Sequence, residues 1–279
     1  KAIFSVVAVL VVTGFYYVLM HRELAGDAEY GNVRSGLFVA LAEWAAKKSR
    51  DLPSSQERAW VPNFLIPAKD PSEIRGVSEL VSDITYPRGS VSMLGVDKEK
   101  RNVRTEKQFR DLAGTFKEQG IYSDWTIIEG KGFSEVTPSS MQTLKRSLFS
   151  PNIVFLRMPR DERREKEIAD LMKKATENKF GVILFANHPS AGLGQYKKVN
   201  LWLPKQCQKW ESPDRLPNCD LSILTAYKLK LNWHAELNLL VPTGDEESVE
   251  EVKENVDELL NEARLPVDDV QVKPITTEE

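Results

Sequence analysis

Histidine and cysteine are scarce in this 279-residue chain, which removes most of the chemistries that depend on them. The two cysteines, Cys207 and Cys219, lie twelve apart with no Cys-x-x-Cys set around them. That excludes a disulfide framework, argues against a zinc site and fits a reducing compartment. The three histidines, His21, His188 and His234, are scattered, and no His-Glu-x-x-His motif exists. Gly130 and Gly132, like Gly192 and Gly194, come in pairs; neither pair completes Gly-x-Gly-x-x-Gly, and both read as turns. There is no Gly-x-x-x-x-Gly-Lys-Ser/Thr loop and no Gly-x-Ser-x-Gly elbow. Positive charge is not in excess either: 38 basic against 41 acidic side chains give a net charge of −3. Nothing resembles the basic stripe that nucleic-acid binding needs. The expectation is a non-enzyme, with no catalytic, metal-binding or cofactor-binding residue and no nucleic-acid partner.

What is abundant sits at the front. Ala2 to Met20 reads AIFSVVAVLVVTGFYYVLM without one charge. As a helix rising about 1.5 Å per residue it spans roughly 28 Å, close to the ~30 Å hydrocarbon core of a bilayer. Phe15, Tyr16 and Tyr17 lie near one end, where aromatic rings favour the headgroup level. His21, Arg22 and Glu23 stop the run, and Arg34, Lys47, Lys48, Arg50 and Arg58 follow, an excess that marks the cytoplasmic side. The expected assignment is a transmembrane helix over 1–22 in the cell membrane, touching lipid through residues 2–20, with the chain cytoplasmic from about residue 23 onward. A buried core helix, a signal peptide and a signal-anchor are the alternatives; the first would show a polar face, the second a small-residue cleavage site. Because the chain opens on Lys1 rather than Met, it reads as a piece of something longer.

Residues 23–58 read as a connector. Asp27 is placed to cap a helix over 28–50, with Val33, Leu37, Ala40, Leu41 and Trp44 forming one apolar stripe. Lys47, Lys48 and Arg50 close its last turn, where positive charge suits the helix dipole and anionic lipid. Leu52-Pro53-Ser54-Ser55 reads as a hinge.

From Trp60 onward short apolar runs alternate with amphipathic helices. Strands are expected at 61–66, 90–96, 124–129, 152–158 and 181–186, and helices at 72–84, 105–118, 139–149 and 161–177. Apolar strands separated by helices imply parallel pairing with right-handed crossovers, and a parallel sheet must be covered on both faces. The fold class is therefore α/β, an open, mostly parallel sheet with helices on both faces. A first lobe over 59–194 is followed by a second over 195–279. The second lobe carries strands at 198–203, 236–241 and 270–272, a polar loop at 205–218, and helices at 220–229 and 248–263. Trp202 and Trp233 flank apolar strands as core or interface aromatics. Glu246, Glu247, Glu250 and Glu251 favour the dipole of the last helix from its first turns and form a solvated face.

One ligand possibility survives. Open parallel sheets bind ligands beyond the carboxyl ends of their strands, at the switch point. The loops after Ile66, Val96 and Leu156 would line that crevice, with Lys69, Arg157 and Arg160 able to face phosphate.

Several segments resemble the carboxy-terminal domain of cation–chloride cotransporters. AWVPNFLIP at 59–67 is similar to that domain's opening strand, in which a Trp-x-Pro precedes an apolar run. KKVNLWLPK at 197–205 with NCDLSILTAYKL at 218–229 is similar to its strand–loop–helix unit, and LNLLVP at 237–242 to the strand after it. The order of an apolar helix, a connector and an α/β body also matches. The resemblance implies a two-lobed, universal-stress-protein-like domain that forms homodimers beneath the membrane. It would regulate a secondary transporter moving chloride with sodium and/or potassium, with its own transmembrane domain as a partner. The short 205–218 segment resembles a compact, prokaryotic version. The universal-stress Gly-x-x-Gly…Gly-Ser/Thr phosphate pattern is not evident, so nucleotide binding is open. A nucleotide-sensing universal-stress-like domain and the tail of an amino-acid permease are the alternative readings.

Overall fold

The computed structural model describes residues 2–21, 39–45, 47–48, 60–97, 103–130, 133–145, 147, 149–159, 161–188, 190, 192–207, 219–242, 249–262, 265–266 and 270–275. The chain forms two compact units, Lys1–Ala59 and Trp60–Glu279.

In the first unit, helix α1 runs from Ala2 to His21 with no acidic residue in its first turn. Its described side chains, Phe4 and residues 6–14, are all exposed. Judged on described residues alone, no helix is long and apolar enough to cross a membrane. Residues 39–45 and 47–48 are helical, with Trp44 exposed. The proposed cap at Asp27 and the hinge at 52–55 lie outside the described residues.

The second unit contains two parallel sheets. The first has the order β3-β2-β1-β4-β5, built from β1 (Asn63–Ala68), β2 (Ser90–Asp97), β3 (Tyr122–Glu129), β4 (Ile153–Arg157) and β5 (Gly181–Phe185). Five helices connect these strands: α2 (Pro71–Arg75), α3 (Ser78–Thr85), α4 (Val103–Glu118), α5 (Phe133–Leu144) and α6 (Glu162–Glu177). Successive strand residues point to opposite faces, and here both faces are apolar. Phe64, Ile66, Val91, Met93, Ile153 and Phe155 pack on one side against α3 and α4, through Val81, Ile84, Phe109 and Phe116. Leu65, Leu94, Val154 and Leu156 pack on the other against Phe133 and Met141 of α5 and Ile168 and Leu171 of α6. That two-sided burial is why these strands are apolar throughout.

The second sheet has the order β6-β7-β8, from β6 (Lys198–Trp202), β7 (Glu236–Pro242) and β8 (Val270–Ile275), with α7 (Cys219–Trp233) and α8 (Val249–Glu262) as crossovers. Leu237, Leu239 and Val241 of β7 meet Ile223 and Ala226 of α7 and Val252, Val256 and Leu260 of α8. On the opposite face the edge-strand residues Lys198, Asn200, Trp202, Gln271 and Lys273 are exposed, while Asn238 of the central strand is buried.

Three expectations need correction. The helix expected over 72–84 is two helices, broken at Gly76 and Val77, where the Ser78 hydroxyl donates to the Arg75 carbonyl. The helix expected over 139–149 runs instead from Phe133 to Leu144 with Pro138 inside it. Finally, Cys207 and Cys219 are joined in a disulfide, with Cα atoms 5.6 Å apart. The turn at Lys205–Cys207 and the first residue of α7 bring the two buried sulfurs together, a proximity that their spacing alone did not reveal.

Candidate functional site

β1 continues to β2 on one side of the first sheet, while β4 leads to β5 on the other, so the strand order reverses between β1 and β4. Such a reversal is where open α/β sheets hold ligands. The β1–β4 ladder covers only Phe64↔Ile153 and Leu65↔Val154. Pro67, two residues on, has no N–H with which to extend it. The strands part there, and a crevice of about 270 Å³ opens between Pro67, Leu156, Arg157, Phe133, Glu73 and Arg164.

The short helix α2 enters the crevice from β1. Asp70 caps it, accepting a 2.7 Å hydrogen bond from the Ser72 backbone N–H. Hydrogen bonds from Ser72 hold the Asp70 carboxyl below the usual carboxylate range. From α2, Glu73 accepts from Arg164 Nη1 at 3.0 Å and from the Lys69 backbone N–H at 3.3 Å. Lys69 Nζ pairs with Glu167 at 2.7 Å and lies 5.2 Å over the Phe133 ring. Two ion pairs thus tie the end of β1 and α2 to α6 across the mouth. All four groups are partly solvated, so each pair contributes about 0.2–1 kcal/mol. Two features stay uncommitted: Arg164 Nε is buried without a partner, and Arg157 lines the crevice with its guanidinium beside Gly76.

Of the expected crevice residues, Lys69 and Arg157 therefore reach the site, though Lys69 is already paired. Arg160 and the segment directly after β2 lie outside the described residues. Glu73, Arg164, Glu167 and Phe133 were missed. The one sequence signal for them was the i, i+3 pairing of Arg164 and Glu167 on α6, one helical turn apart.

The other residues singled out have local roles. Gly192 and Gly194 have positive φ of 56° and 78°, as turns do, and Gly130 sits so close to Val136 that a Cβ would meet its Cγ2 at 2.1 Å. Gly132 lies outside the described residues. His188 Nδ1 is 3.2 Å from the Ser190 hydroxyl, and His234 occupies the turn between α7 and β7 at φ 53°. Among the described residues no group of three His, Cys, Asp or Glu could hold a metal ion.

Trp202, expected in a core or an interface, is 62% exposed and not core. Trp233 is part of the contact between the two sheets' helices. Its Nε1 donates to Asp83 Oδ2 of α3 at 2.6 Å, and Asn232 donates to the Asp83 and Tyr86 carbonyls. Tyr196 meets the Trp233 ring edge-on, with centroids 4.8 Å apart. Burial, and then the Glu79 and Asp83 carboxylates, push the Tyr196 phenol above its ordinary pKa.

Parallel β–α–β units and a strand order that reverses between β1 and β4 define a doubly wound α/β domain with an ion-paired switch point. The chain belongs to the family of prokaryotic cation–chloride cotransporter carboxy-terminal domains. The description "Prokaryotic cation-chloride cotransporter, C-terminal domain, 1st" matches residues 66–193, and its "2nd" counterpart matches 194–278. A crystal structure of the cytoplasmic domain of a prokaryotic cation chloride cotransporter is 36% identical, with a TM-score of 0.67, covering 78% of this chain and 79% of that one. A universal stress protein from Archaeoglobus fulgidus is 11% identical at a TM-score of 0.49, covering 77% of this chain and 76% of that one. A functionally unknown protein from Pseudomonas aeruginosa PAO1 is 10% identical at 0.47, covering 77% and 74%. No curated protein matches. This is a family of transporter tails, not of enzymes, and the matched region is the cytoplasmic domain of a cotransporter, which implies a transmembrane domain of its own.

Proposed function

We propose that this chain is the regulatory, dimerising tail of a secondary transporter that moves chloride with sodium and/or potassium, without catalytic activity. In this reading residues 1–22 are the last transmembrane helix and 23–58 a connector. Residues 59–194 and 195–279 are then two cytoplasmic lobes, paired with those of a second copy. The charge-free run of α1 supports the membrane assignment, because its exposed valines and leucine have a natural solvent in lipid.

The observation that carries dimerisation is the exposed Trp202 on the edge strand of the second sheet, on the face away from its helices. Parallel sheets are normally covered on both sides, yet this face leaves Trp202 62% exposed. Beside it, Asn238 donates to Asn200 Oδ1 at 2.9 Å while its own Oδ1 is buried without a partner. Glu236 lies between Lys198 and Lys273 at 3.7 and 3.8 Å. A tryptophan ringed by polar groups is the usual composition of an interface hot spot. Sedimentation of the chain in nanodiscs tests this: two copies per particle are expected, and Trp202→Glu should give one. A strict monomer at high micromolar concentration would count decisively against the proposal.

A second reading is a sensor for an anionic ligand such as a nucleotide at the switch-point crevice, favoured by the uncommitted Arg157 guanidinium and the orphan Arg164 Nε. Melting in the presence of ATP, ADP and AMP separates the readings, since a ligand that binds only the folded state must raise the melting point.

A further inference from the structure

The Cys207–Cys219 disulfide stands in a lobe that the proposed function puts in the cytoplasm. A reducing compartment keeps thiols reduced, and outside hyperthermophiles the disulfides found there are transient, catalytic or redox-sensing. The Cα separation of 5.6 Å lies inside the usual disulfide range of about 4.4–6.8 Å, so the two cysteines can join without backbone movement.

Both cysteines are buried, in the cluster that contains Leu203, Ile223, Leu237 and Leu239. Their backbones are held very differently. Cys219 is the first residue of the 15-residue helix α7. Cys207 ends a 3-residue turn, and its N–H donates to the Pro204 carbonyl at 2.8 Å. Leu203 before that turn is buried and donates to the Leu240 carbonyl, whereas Pro204, Lys205 and Gln206 are exposed. A short turn with solvated backbone opens at low cost, and a helix packed along one face does not. Opening of 204–207 therefore uncovers the Cys207 sulfur while β6 and α7 stay in place.

We propose that this pair is a reversible thiol–disulfide latch, worked through Cys207 by a small cytosolic monothiol and its disulfide, that fastens or releases the start of α7. The monothiol's thiolate attacks the Cys207 sulfur and forms a mixed disulfide; the bond to Cys219 breaks, and its electron pair leaves on the Cys219 sulfur. A second thiolate then attacks the monothiol's own sulfur in the mixed disulfide and expels Cys207. The protons given up by the two monothiols end on Cys207 and Cys219, and the two monothiols have become one disulfide. Oxidation retraces these steps. The far end of α7 is fastened independently, by the Trp233–Asp83 hydrogen bond at 2.6 Å and by Asn232 donating to the Asp83 and Tyr86 carbonyls. Reduction thus frees only the first turns of α7, which keep the packing of Ile223 and Ala226 against β7. The turn that opens follows directly on β6, so the released segment adjoins Trp202.

The test equilibrates the full chain in nanodiscs with glutathione buffers of increasing oxidised fraction, once from the dithiol and once from the disulfide, and counts thiols by alkylation and mass spectrometry. One transition is expected, identical from both starts. Hydrogen exchange over 219–223 should be about 10- to 100-fold faster in the reduced chain than in the oxidised one, the order that cross-linking a loop of this length supplies, and unchanged over 229–233. The double variant Cys207→Ala, Cys219→Ala should exchange like the reduced chain in every buffer; the titration itself needs no variant and decides the matter if that one fails to fold. Three results would overturn the proposal: a disulfide that survives millimolar reduced glutathione in the native chain, a dithiol that oxidised glutathione does not close, or exchange over 219–223 that ignores the redox state. The latch rests on the cytoplasmic placement of residues 195–279, which protease protection in sealed inverted vesicles reads separately, so a wrong placement and a failed latch are told apart.

Discussion

Replacing Trp233 by Phe tests what joins the two sheets. The substitution keeps an aromatic ring against Tyr196 and removes the Nε1–H that donates to the Asp83 carboxylate at 2.6 Å. A hydrogen bond to a charged acceptor contributes about 1.5–3 kcal/mol. Asp83 is half-buried, so water can replace part of the lost bond, and the lower end, about 1.5 kcal/mol, is expected. The smaller ring adds a packing loss of about 0.5 kcal/mol, because Trp233 is only partly buried against the core. For a domain of this size each kcal/mol moves the midpoint by roughly 2–4 °C, so calorimetry should show Trp233→Phe melting about 4–8 °C below the parent. Asp83→Ala supplies the second edge of a double-mutant cycle, in which a coupling of about 1–2 kcal/mol is expected. If the two substitutions add to within about 0.3–0.5 kcal/mol, the bond does not hold the sheets together and the reasoning fails.

Gly95 of β2 faces Phe109 of α4, where an added Cβ would lie 2.7 Å from the ring and 3.0 Å from Ile127. Gly95→Ala should therefore destabilise by about 1–3 kcal/mol through overpacking, measured by denaturant unfolding, and Phe109→Leu should recover part of that loss; a neutral Gly95→Ala would mean the ring is not fixed there. Burial and then the Arg88 charge lower the Lys228 pKa from 10.5. Between the lowered value and 10.5 the unfolded chain binds more protons, so stability should rise with pH across that window. Lys228→Met removes the buried charge, raising stability at neutral pH and flattening the alkaline rise; an unchanged pH profile of stability in the variant would show that Lys228 is not its source.

Strands buried on both faces were easy to read. IVFLR of β4 and NFLIPA of β1 are apolar almost residue by residue because helices cover both sides. Pro138 misled because proline usually ends a helix. Here Phe133 and Met141, both buried, hold α5 in place on either side of it, and packing overrides local propensity. Between α2 and α3 the stop signal was Gly76, the C-cap of α2, outweighed by the apolar periodicity that runs on through Leu80 and Ile84. The crevice was half-legible: its position follows from strand order, and Lys69 and Arg157 follow from strand ends. Its ion pairs join residues 91 and 98 apart in sequence, and no local pattern encodes such pairs. The Cys207–Cys219 disulfide escaped for a different reason: the two are close in sequence, but their approach depends on where the 205–207 turn ends and α7 begins.

The two sheets divide their duties by what covers them. The first is enclosed by α3 and α4 on one side and α5 and α6 on the other, and its switch point is spanned by Lys69–Glu167 and Arg164–Glu73. A ligand entering there must displace protein–protein ion pairs that are themselves weak, so the barrier to entry is small and the gain from binding is small too, unless the ligand also satisfies Arg157 and Arg164 Nε. The second sheet carries its helices on one side; on the other, Trp202 of the edge strand is 62% exposed while Asn238 of the central strand is buried. A partner covering Trp202 would remove an exposed indole from water, which is the gain the proposed pairing would draw on. A partner lying only on the first sheet would not cover that side chain. The proposed pairing of two copies is therefore best served by the face that carries Trp202.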